Sequence, residues 1–383
     1  MSVGPADDAV DDHPPPIARD ALRGLVGRLV DAAGPPLFAV LALITGSRWV
    51  DAPGPVLLPV LQALVPAATT PTWVVLVLAA VTRRWSLAAA ASVLAAVHVG
   101  LLVPWVTPGR RATAHSAGDR LVVLSSNLLF GRGDPATVVD AVRDREVDLL
   151  LLVEVTWDLR DALLDAGITD ELPHMAGRPR ADADAAMIFS RHPLRAPEVA
   201  PLPPVTYGGE LATVTSPSGD VVVAVVHVVA PVPGFGRAWH REWTMLGTWA
   251  ASVRPDLPIV IAGDFNATMD HPVLRRLGDV GIVDTLREAG RGRRATWPRI
   301  PGLSRLSPRF HIDHVQTRGF DVVDADTLVM PGSDHLAVWA ELAASATTSA
   351  TARGSAPPRW ASRRRGAGLT VAAGAGGAAE RGR

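Results

Sequence analysis

Residues 259–272 read IVIAGDFNATMDHP, and this stretch decides how the chain is understood. A strand-length apolar run stops abruptly at Asp264, and Asn266 follows two residues later. In extended geometry residues two apart point to the same side, so one carboxylate and one amide share a small volume. Carboxylate, amide and water oxygens are the ligands Mg²⁺ prefers, and phosphate oxygens commonly complete its shell. Three other runs stop in the same way: LVVLSS at Asn127, LLLLV at Glu154 and VVVAVV at His227. Their length and continuous apolarity are those of strands buried on both faces, with helical stretches between them, one opened by Asp134-Pro135 and another by Asp270 with Pro272. The fold class is therefore α/β. In such folds ligand sites collect at strand ends, because the buried strand fixes position and the next loop gives access. One polar strand end is ordinarily a satisfied turn residue, but four together argue for one shared site.

Composition narrows the alternatives. The chain has 383 residues, a formal net charge of −1, 48% hydrophobic residues and no cysteine. Disulfide scaffolds, zinc ribbons and thiol nucleophiles are thereby excluded. All 37 basic residues are arginine, which reads as coding bias, and the balanced charge gives no sign of a basic nucleic-acid surface. The mean hydropathy of +0.22 is high for a purely soluble chain and directs attention to membrane segments.

Residues 1–31 form a polar tail without the compact basic region of a cleaved signal peptide. Residues 32–109 read as a transmembrane region of two or three helices, with three preferred. Ala52 to Thr82 and Trp85 to Gly109 carry no charged residue, and each reaches the roughly 20 residues a spanning helix needs. Ala32 to Gly46 is shorter and reads either as a short span or as an interfacial helix. With three spans, Arg19, Arg23, Arg28, Arg83 and Arg84 lie inside and Arg48, Arg110, Arg111 and Arg120 outside; with two, the excess of arginine favours the reverse placement of the following domain. Residues 120–342 carry the α/β pattern, and residues 345–383 read as a disordered Ala/Gly/Arg-rich tail.

Toward the end of the α/β stretch, HIDHV holds Asp313 and GSDHL holds Asp334 and His335. A histidine that takes a proton from water needs a carboxylate to fix its tautomer, and Asp313 is the candidate partner of His335. His314 and His271 stand beside motif residues, where a surface or capping role is the ordinary reading. His98, near the end of an apolar run, reads as a helix-packing residue. The stretch APVPGFGRAWHREW, residues 230–243, is either a helix start burying its tryptophans or a substrate lip near the bilayer using Arg237 and His240. Trp297 admits the same two readings.

The order SSNLL, LLVEV, MIFSRHPL, VVHVVAP, IAGDFNAT, ATWP, HIDHV and GSDH resembles the endonuclease/exonuclease/phosphatase superfamily, the metal-dependent phosphoesterases similar to DNase I. The resemblance covers about residues 120–342 and implies a four-layer α/β sandwich, two sheets flanked by helices, preceded here by transmembrane helices. It looks like the bacterial membrane-anchored branch that includes teicoplanin-resistance type proteins, whose catalytic domain is expected outside the cytoplasmic membrane. The resemblance assigns Glu154 as principal metal ligand with Asn127 close by and Asp334 completing the acidic cluster. Asp264 would orient or deprotonate the attacking water, and Asn266 would hold the phosphate. His335, steadied by Asp313, would be general base or the acid at the leaving oxygen, and His227 would donate to the phosphoryl oxygen. Mg²⁺, or alternatively Mn²⁺, is the implied cofactor.

One departure bears on substrate. Many DNA-repair members of the family carry a second acidic residue just after the first Asn, whereas this chain reads Asn127-Leu128-Leu129. The expected function is a membrane-anchored phosphoesterase on a phosphate ester or pyrophosphate, with a lipid-linked substrate favoured because tethering raises its effective concentration. A membrane-tethered nuclease is the alternative, with nucleic acid not favoured as partner, and a catalytically silent binding module is a third class. The oligomeric state is left open.

Overall fold

The computed structural model describes residues 16–109, 120–181, 184–299 and 310–345. The expected disordered tail, residues 345–383, therefore falls almost wholly outside the described residues, as do residues 1–15 of the polar N-terminal stretch.

Two six-stranded sheets stack face to face. The first contains β1 (Arg120–Asn127), β2 (Leu149–Val153), β3 (His174–Gly177), β4 (Ala186–Ser190), β11 (Phe320–Val329) and β12 (Leu336–Ala344), in the order β11-β12-β1-β2-β4-β3. The second contains β5 (Leu194–Arg195), β6 (Gly209–Ser216), β7 (Gly219–Val226), β8 (Ile259–Asp264), β9 (Val283–Asp284) and β10 (Asp313–Arg318), in the order β5-β6-β7-β8-β10-β9. Two crossovers set the plan. Helix α5 (Pro135–Asp144) joins β1 to its parallel neighbour β2, and α8 (Gly236–Ser252) joins β7 to its parallel neighbour β8.

Side-chain alternation explains the apolar runs. Leu121, Val123, Leu149 and Leu151 face Val221, Val223, Val260 and Ala262 between the sheets. Their alternates Val122, Leu124, Leu150 and Leu152 pack under α5 and α6 (Trp157–Asp165). On the far side Val222, Ala224, Ile259 and Ile261 pack under Trp239, Trp243 and Leu246 of α8. Both faces of each central strand are buried, so the runs are apolar over most of their length. Each fully buried Leu or Val contributes roughly 1.5–3 kcal/mol relative to exposure. The result is the four-layer sandwich expected from the sequence.

Asp134 caps α5 by accepting from the Thr137 amide at 2.9 Å. Asp270 does not do the same for α9 (Pro272–Arg275), whose cap position is His271 without a side-chain bond. Asp270 instead pairs with Arg48 at 3.0 Å and Arg293 at 2.9 Å, contacts too distant in the chain to leave a local signature.

The apolar N-terminal region folds as α1 (Pro16–Ser47), α2 (Leu57–Ala63), α3 (Thr69–Val81) and α4 (Trp85–Val106). Gly24–Ser47 and Trp85–Val106 are each long and apolar enough to cross a membrane. The short candidate Ala32–Gly46 thus belongs to a longer continuous helix, because Leu25, Val26, Leu29 and Val30 extend its apolar spacing into the stretch read as a polar tail. Conversely, Ala52 to Thr82 is not one straight helix. It bends by 55° between α2 and α3, where Pro66 removes a backbone donor and a short 3₁₀ turn intervenes. The helices pack through Leu41, Ala68, Val75, Ala91 and Leu94, and an Arg84–Asp31 ion pair ties α4 to α1. Their outer faces leave Leu43, Val77 and Val93 63%, 54% and 68% exposed, an uncovered apolar surface.

The sandwich docks on one end of this helical region. Arg275 donates to the Arg48 carbonyl at 2.7 Å, Gly109 N–H to the Glu288 carbonyl at 2.8 Å, and His271 Nε2 lies 2.9 Å from the Pro59 carbonyl. Burial holds the His271 imidazole down to about 4, against its backbone hydrogen bonds, so it is neutral in this joint.

Candidate active site

Parallel pairing aligns the carboxyl ends of β1 and β2 in one sheet and of β7 and β8 in the other. Asn127 is the last residue of β1, Glu154 follows β2, His227 follows β7 and Asp264 ends β8. The antiparallel strands bring the remaining groups to the same edge. Asp313 opens β10 directly opposite Asp264 in the ladder, and Asp334 and His335 immediately precede β12.

Asn127 joins the two sheets. Its amide donates to Glu154 Oε1 at 2.8 Å and to Asp264 Oδ2 at 3.1 Å, while its oxygen accepts from the Leu129 amide at 2.9 Å. Glu154 Oε2 accepts from the Phe130 amide at 2.7 Å. The supporting turn is conformationally costly: Leu129, Phe130 and Glu154 have φ of 46°, 52° and 61°, and Asn266 has 45°. Non-glycine residues in this left-handed region cost on the order of 1–3 kcal/mol each and persist where surrounding bonds hold them. Gly263 is required for a different reason. A Cβ there would lie 2.1 Å from the Val226 carbonyl, so only glycine lets β7 and β8 approach closely enough to place His227 beside Asp264.

Asp264 Oδ1 accepts from the Asn266 amide at 2.9 Å, closing the turn that the Asp-Phe-Asn spacing suggests. Asn266 Nδ2 donates to the Val228 carbonyl at 2.9 Å. His227 Nε2 stands 3.5 Å from Asp264 Oδ2 and 3.9 Å from Glu154 Oε1. His335 Nδ1 donates to Asp313 Oδ2 at 2.9 Å, which aims Nε2 inward, 3.9 Å from Asp264 and 3.7 Å from Asp334. The Ser333 hydroxyl accepts from the His335 amide at 3.0 Å and donates to the Asn127 carbonyl at 2.8 Å, locking the two strand ends together. Trp297 Nε1 donates to Asp334 Oδ2 at 3.0 Å.

The electrostatics follow from burial and proximity. Burial, then the neighbouring Asp313 charge, pushes Asp264 up to about 7. Burial opposes charge on His335, but Asp313, Asp264 and Asp334 outweigh it and raise the imidazole to about 10. Glu154, Asp264, Asp313 and Asp334 thus gather around two imidazoles. A divalent cation fits this set: the donors are oxygens, carboxylates outnumber bases, and Asp334 Oδ1 is buried without a hydrogen-bond partner. Asp264, Asp313 and His335 also offer ligand atoms within 4.8 Å of one another. There, however, the Asp313 carboxylate and His335 Nδ1 already satisfy each other, which suits a proton-handling unit.

Two candidates lie elsewhere. Arg237 is exposed on α8, and His240 bonds Asp51 of the α1–α2 connection at 3.1 Å. The stretch 230–243 is chiefly a helix start, with Trp239 and Trp243 buried. His314 is wholly buried, bonded to Asp284 at 2.7 Å and facing the Ala267 carbonyl at 2.9 Å. His98 packs within the helices against Thr45 and Thr69. The sequence reading missed the amides of Leu129 and Phe130, Ser333, and the Arg48–Asp270 pair. Of these the backbone amides had a signal in the Asn-Leu-Leu-Phe-Gly turn, and Ser333 in its place within the GSDH motif, whereas the Arg48–Asp270 pair had none.

The chain matches the sequence profile of the Endonuclease/Exonuclease/phosphatase family over residues 124–335, more than half its length. Among solved structures it is similar to an endonuclease/exonuclease/phosphatase from Beutenbergia cavernae, with 21% identity over 59% of this chain and 72% of that one, TM-score 0.46. A 3'-5' exonuclease from Neisseria meningitidis has 18% identity, 58% and 100% coverage and a TM-score of 0.45. Humanized D. rerio TDP2 has 13% identity, 58% and 99% coverage and a TM-score of 0.48. No curated protein matches the chain. With its sandwich, its strand-end cluster and this profile match, the chain belongs to the endonuclease/exonuclease/phosphatase family, whose enzymes are divalent-metal-dependent phosphoester hydrolases.

Proposed function

We propose that this protein is a membrane-anchored hydrolase of a lipid-linked phosphate ester or pyrophosphate. The observation that carries the reading is that the strand-end cluster and the apolar helices meet at one end of the sandwich, through His271–Pro59 and Arg48–Asp270. A substrate presented at the bilayer surface reaches such a site without leaving the membrane, and tethering raises its local concentration.

Glu154, Asn127 and Asp334 would hold Mg²⁺, with Mn²⁺ as the alternative. Bound there, the cation supplies charge to polarise the phosphoryl group and stabilise the leaving oxygen. Asp264, whose carboxyl burial and the Asp313 charge push up to about 7, accepts the proton of the attacking water in its ionised form. His335 presents its Nε2 proton to the phosphoryl or leaving oxygen, with Asp313 fixing its tautomer and balancing its charge. His227 Nε2 donates to a phosphoryl oxygen, and Asn266 and Trp297 border the volume that receives the substrate. The assay is product release by the detergent-purified full-length protein with Mg²⁺, offered an isoprenyl pyrophosphate and plasmid DNA side by side. Inorganic phosphate with intact DNA is expected. Nicked DNA without phosphate contradicts the reading and identifies a tethered nuclease.

The orientation belongs to the same proposal. If α1, the bent α2–α3 pair and α4 each cross, the sandwich lies opposite the N-terminus, and Arg28, Arg83 and Arg84 lie on the far side from it. Five arginines on that side against four beside the sandwich make the charge bias slight, so the extracytoplasmic placement of the catalytic domain, in a multi-pass protein of the cytoplasmic membrane, rests chiefly on the resemblance to the membrane-anchored branch. An alkaline phosphatase reporter fused after Ala344 is expected to be active. A fusion active only in cytoplasmic format reverses the orientation.

A further inference from the structure

A groove of about 190 Å³ runs beside the strand-end cluster, and its wall is built jointly by the sandwich and the membrane helices. At the catalytic side it is bordered by Asn266 and Trp297; at the other by Pro59, Val60 and Ala63 of α2. Val232, Phe310 and Ile312 also line it. Among the described residues none of its wall is Asp, Glu, Lys or Arg. Its few polar groups are already engaged: His271 by Pro59 and Thr268, Trp297 Nε1 by Asp334, and Asn266 Nδ2 by Val228. A polyanionic strand requires cations along its path, and this wall provides none. A hydrocarbon requires a dry apolar wall, which it does provide. The apolar surface also continues outward, since Val232 and Phe235 on one lip and Leu57 and Val60 on the other are all exposed. Exposed apolar residues grouped at the mouth of a groove mark a binding surface. Beyond α2, across the 3₁₀ turn, the chain continues into α3, whose thirteen residues carry no charge.

We infer that this groove seats the hydrocarbon chain next to the scissile phosphate, so that α2 is part of the substrate site and not only of the anchor. The inference rests on the phosphoester-hydrolase reading and deepens it. The chain enters from the apolar surface of the helices, lies against Val60, Ala63, Val232 and Phe310, and delivers its phosphate to Asn266 and His335. Substrate length then matters beyond the phosphate, because each methylene seated in the groove leaves water.

The test uses the full-length protein in lipid nanodiscs with Mg²⁺, comparing kcat/KM for ethyl phosphate and decyl phosphate. Burial of two or three methylenes predicts a preference of about 10–100-fold for the decyl ester. Ala63→Phe, which fills the groove, and Val232→Asp, which charges an exposed lip, bring the ratio toward one. If the wild type hydrolyses both esters equally, or if both variants keep the preference, the groove is not the chain site, although the hydrolase reading stands. A readout independent of turnover separates the two ideas. A decyl phosphonate with a diazirine at the chain end is expected to label Val60, Ala63 or Val232, and to lose those adducts in Ala63→Phe. Adducts confined to α1, α3 and α4 overturn the inference, whether or not any ester is cleaved.

Discussion

His335→Ala lowers kcat by about 10²–10⁴-fold, the range general acid–base groups contribute, while KM changes little. The imidazole is held on one side only: Nδ1 is spent on Asp313 at 2.9 Å, and Nε2 faces Asp264 and Asp334 across 3.9 and 3.7 Å. Those separations leave room for a reacting oxygen, so removal of the ring is felt in the transition state more than in substrate binding. Alanine also leaves the Asp313 carboxylate buried without its partner, and some thermal stability is lost with it. His335→Gln separates the two effects. Its side-chain amide can still donate to Asp313, so this variant recovers the melting temperature but not the turnover. Steady-state kinetics with thermal unfolding on both variants check this. Recovery of activity by glutamine, or wild-type turnover in the alanine variant, removes His335 from the chemistry.

Glu154→Gln raises the Mg²⁺ concentration needed for half-maximal activity by at least the 10–100-fold that loss of a merely supporting partner costs. The carboxylate accepts from Asn127 through Oε1 and from the Phe130 amide through Oε2. Both bonds fix its orientation while leaving lone pairs for a cation. A glutamine amide keeps the size but sacrifices one acceptor, turning a donor toward either Asn127 or Phe130, and it removes the charge that Mg²⁺ requires. Because Glu154 sits at a φ of 61°, the local turn loosens as well. Mn²⁺ binding followed by electron paramagnetic resonance reads the affinity directly, without turnover. Unchanged Mn²⁺ affinity and an unchanged Mg²⁺ requirement place the cation elsewhere.

The residues differ in how far their roles could be read from the chain alone. Asn127, Glu154, His227 and Asp264 were visible because each ends a largely apolar run, and a strand buried on both faces tolerates no charged or amide side chain earlier. Parallel pairing through α5 and α8 then carries all four to one edge, a consequence of connectivity that sequence order alone suggests. Asp313 and His335 were visible as a pair because a functional imidazole needs a carboxylate. By contrast, Arg237 and His240 looked suited to a substrate lip from their aromatic surroundings. The helix register of α8 turns its tryptophans into the core and gives His240 to Asp51. Asp270 had the spacing of a helix cap, yet a buried carboxylate within reach of Arg48 and Arg293 gains more from two ion pairs than from one amide. The bend between α2 and α3 was written in Pro66, but uninterrupted apolarity from Ala52 to Thr82 hid it. Hydropathy reports length and charge, whereas the bend depends on one missing backbone donor. The joint between α2 and the catalytic loop involves backbone carbonyls such as that of Pro59, which any residue supplies and no pattern marks.

The central claim is that this strand-end cluster is a divalent-metal phosphoester hydrolase. It is tested most directly by phosphate release from a long-chain pyrophosphate by the full-length protein. The same sample is followed with Mg²⁺, after chelation, and after Mg²⁺ is restored, with His335→Ala in parallel. Release that stops on chelation, returns with the metal and is absent from the variant is the predicted result. Release that persists in the variant, or no release from any phosphoester with the metal present, contradicts it.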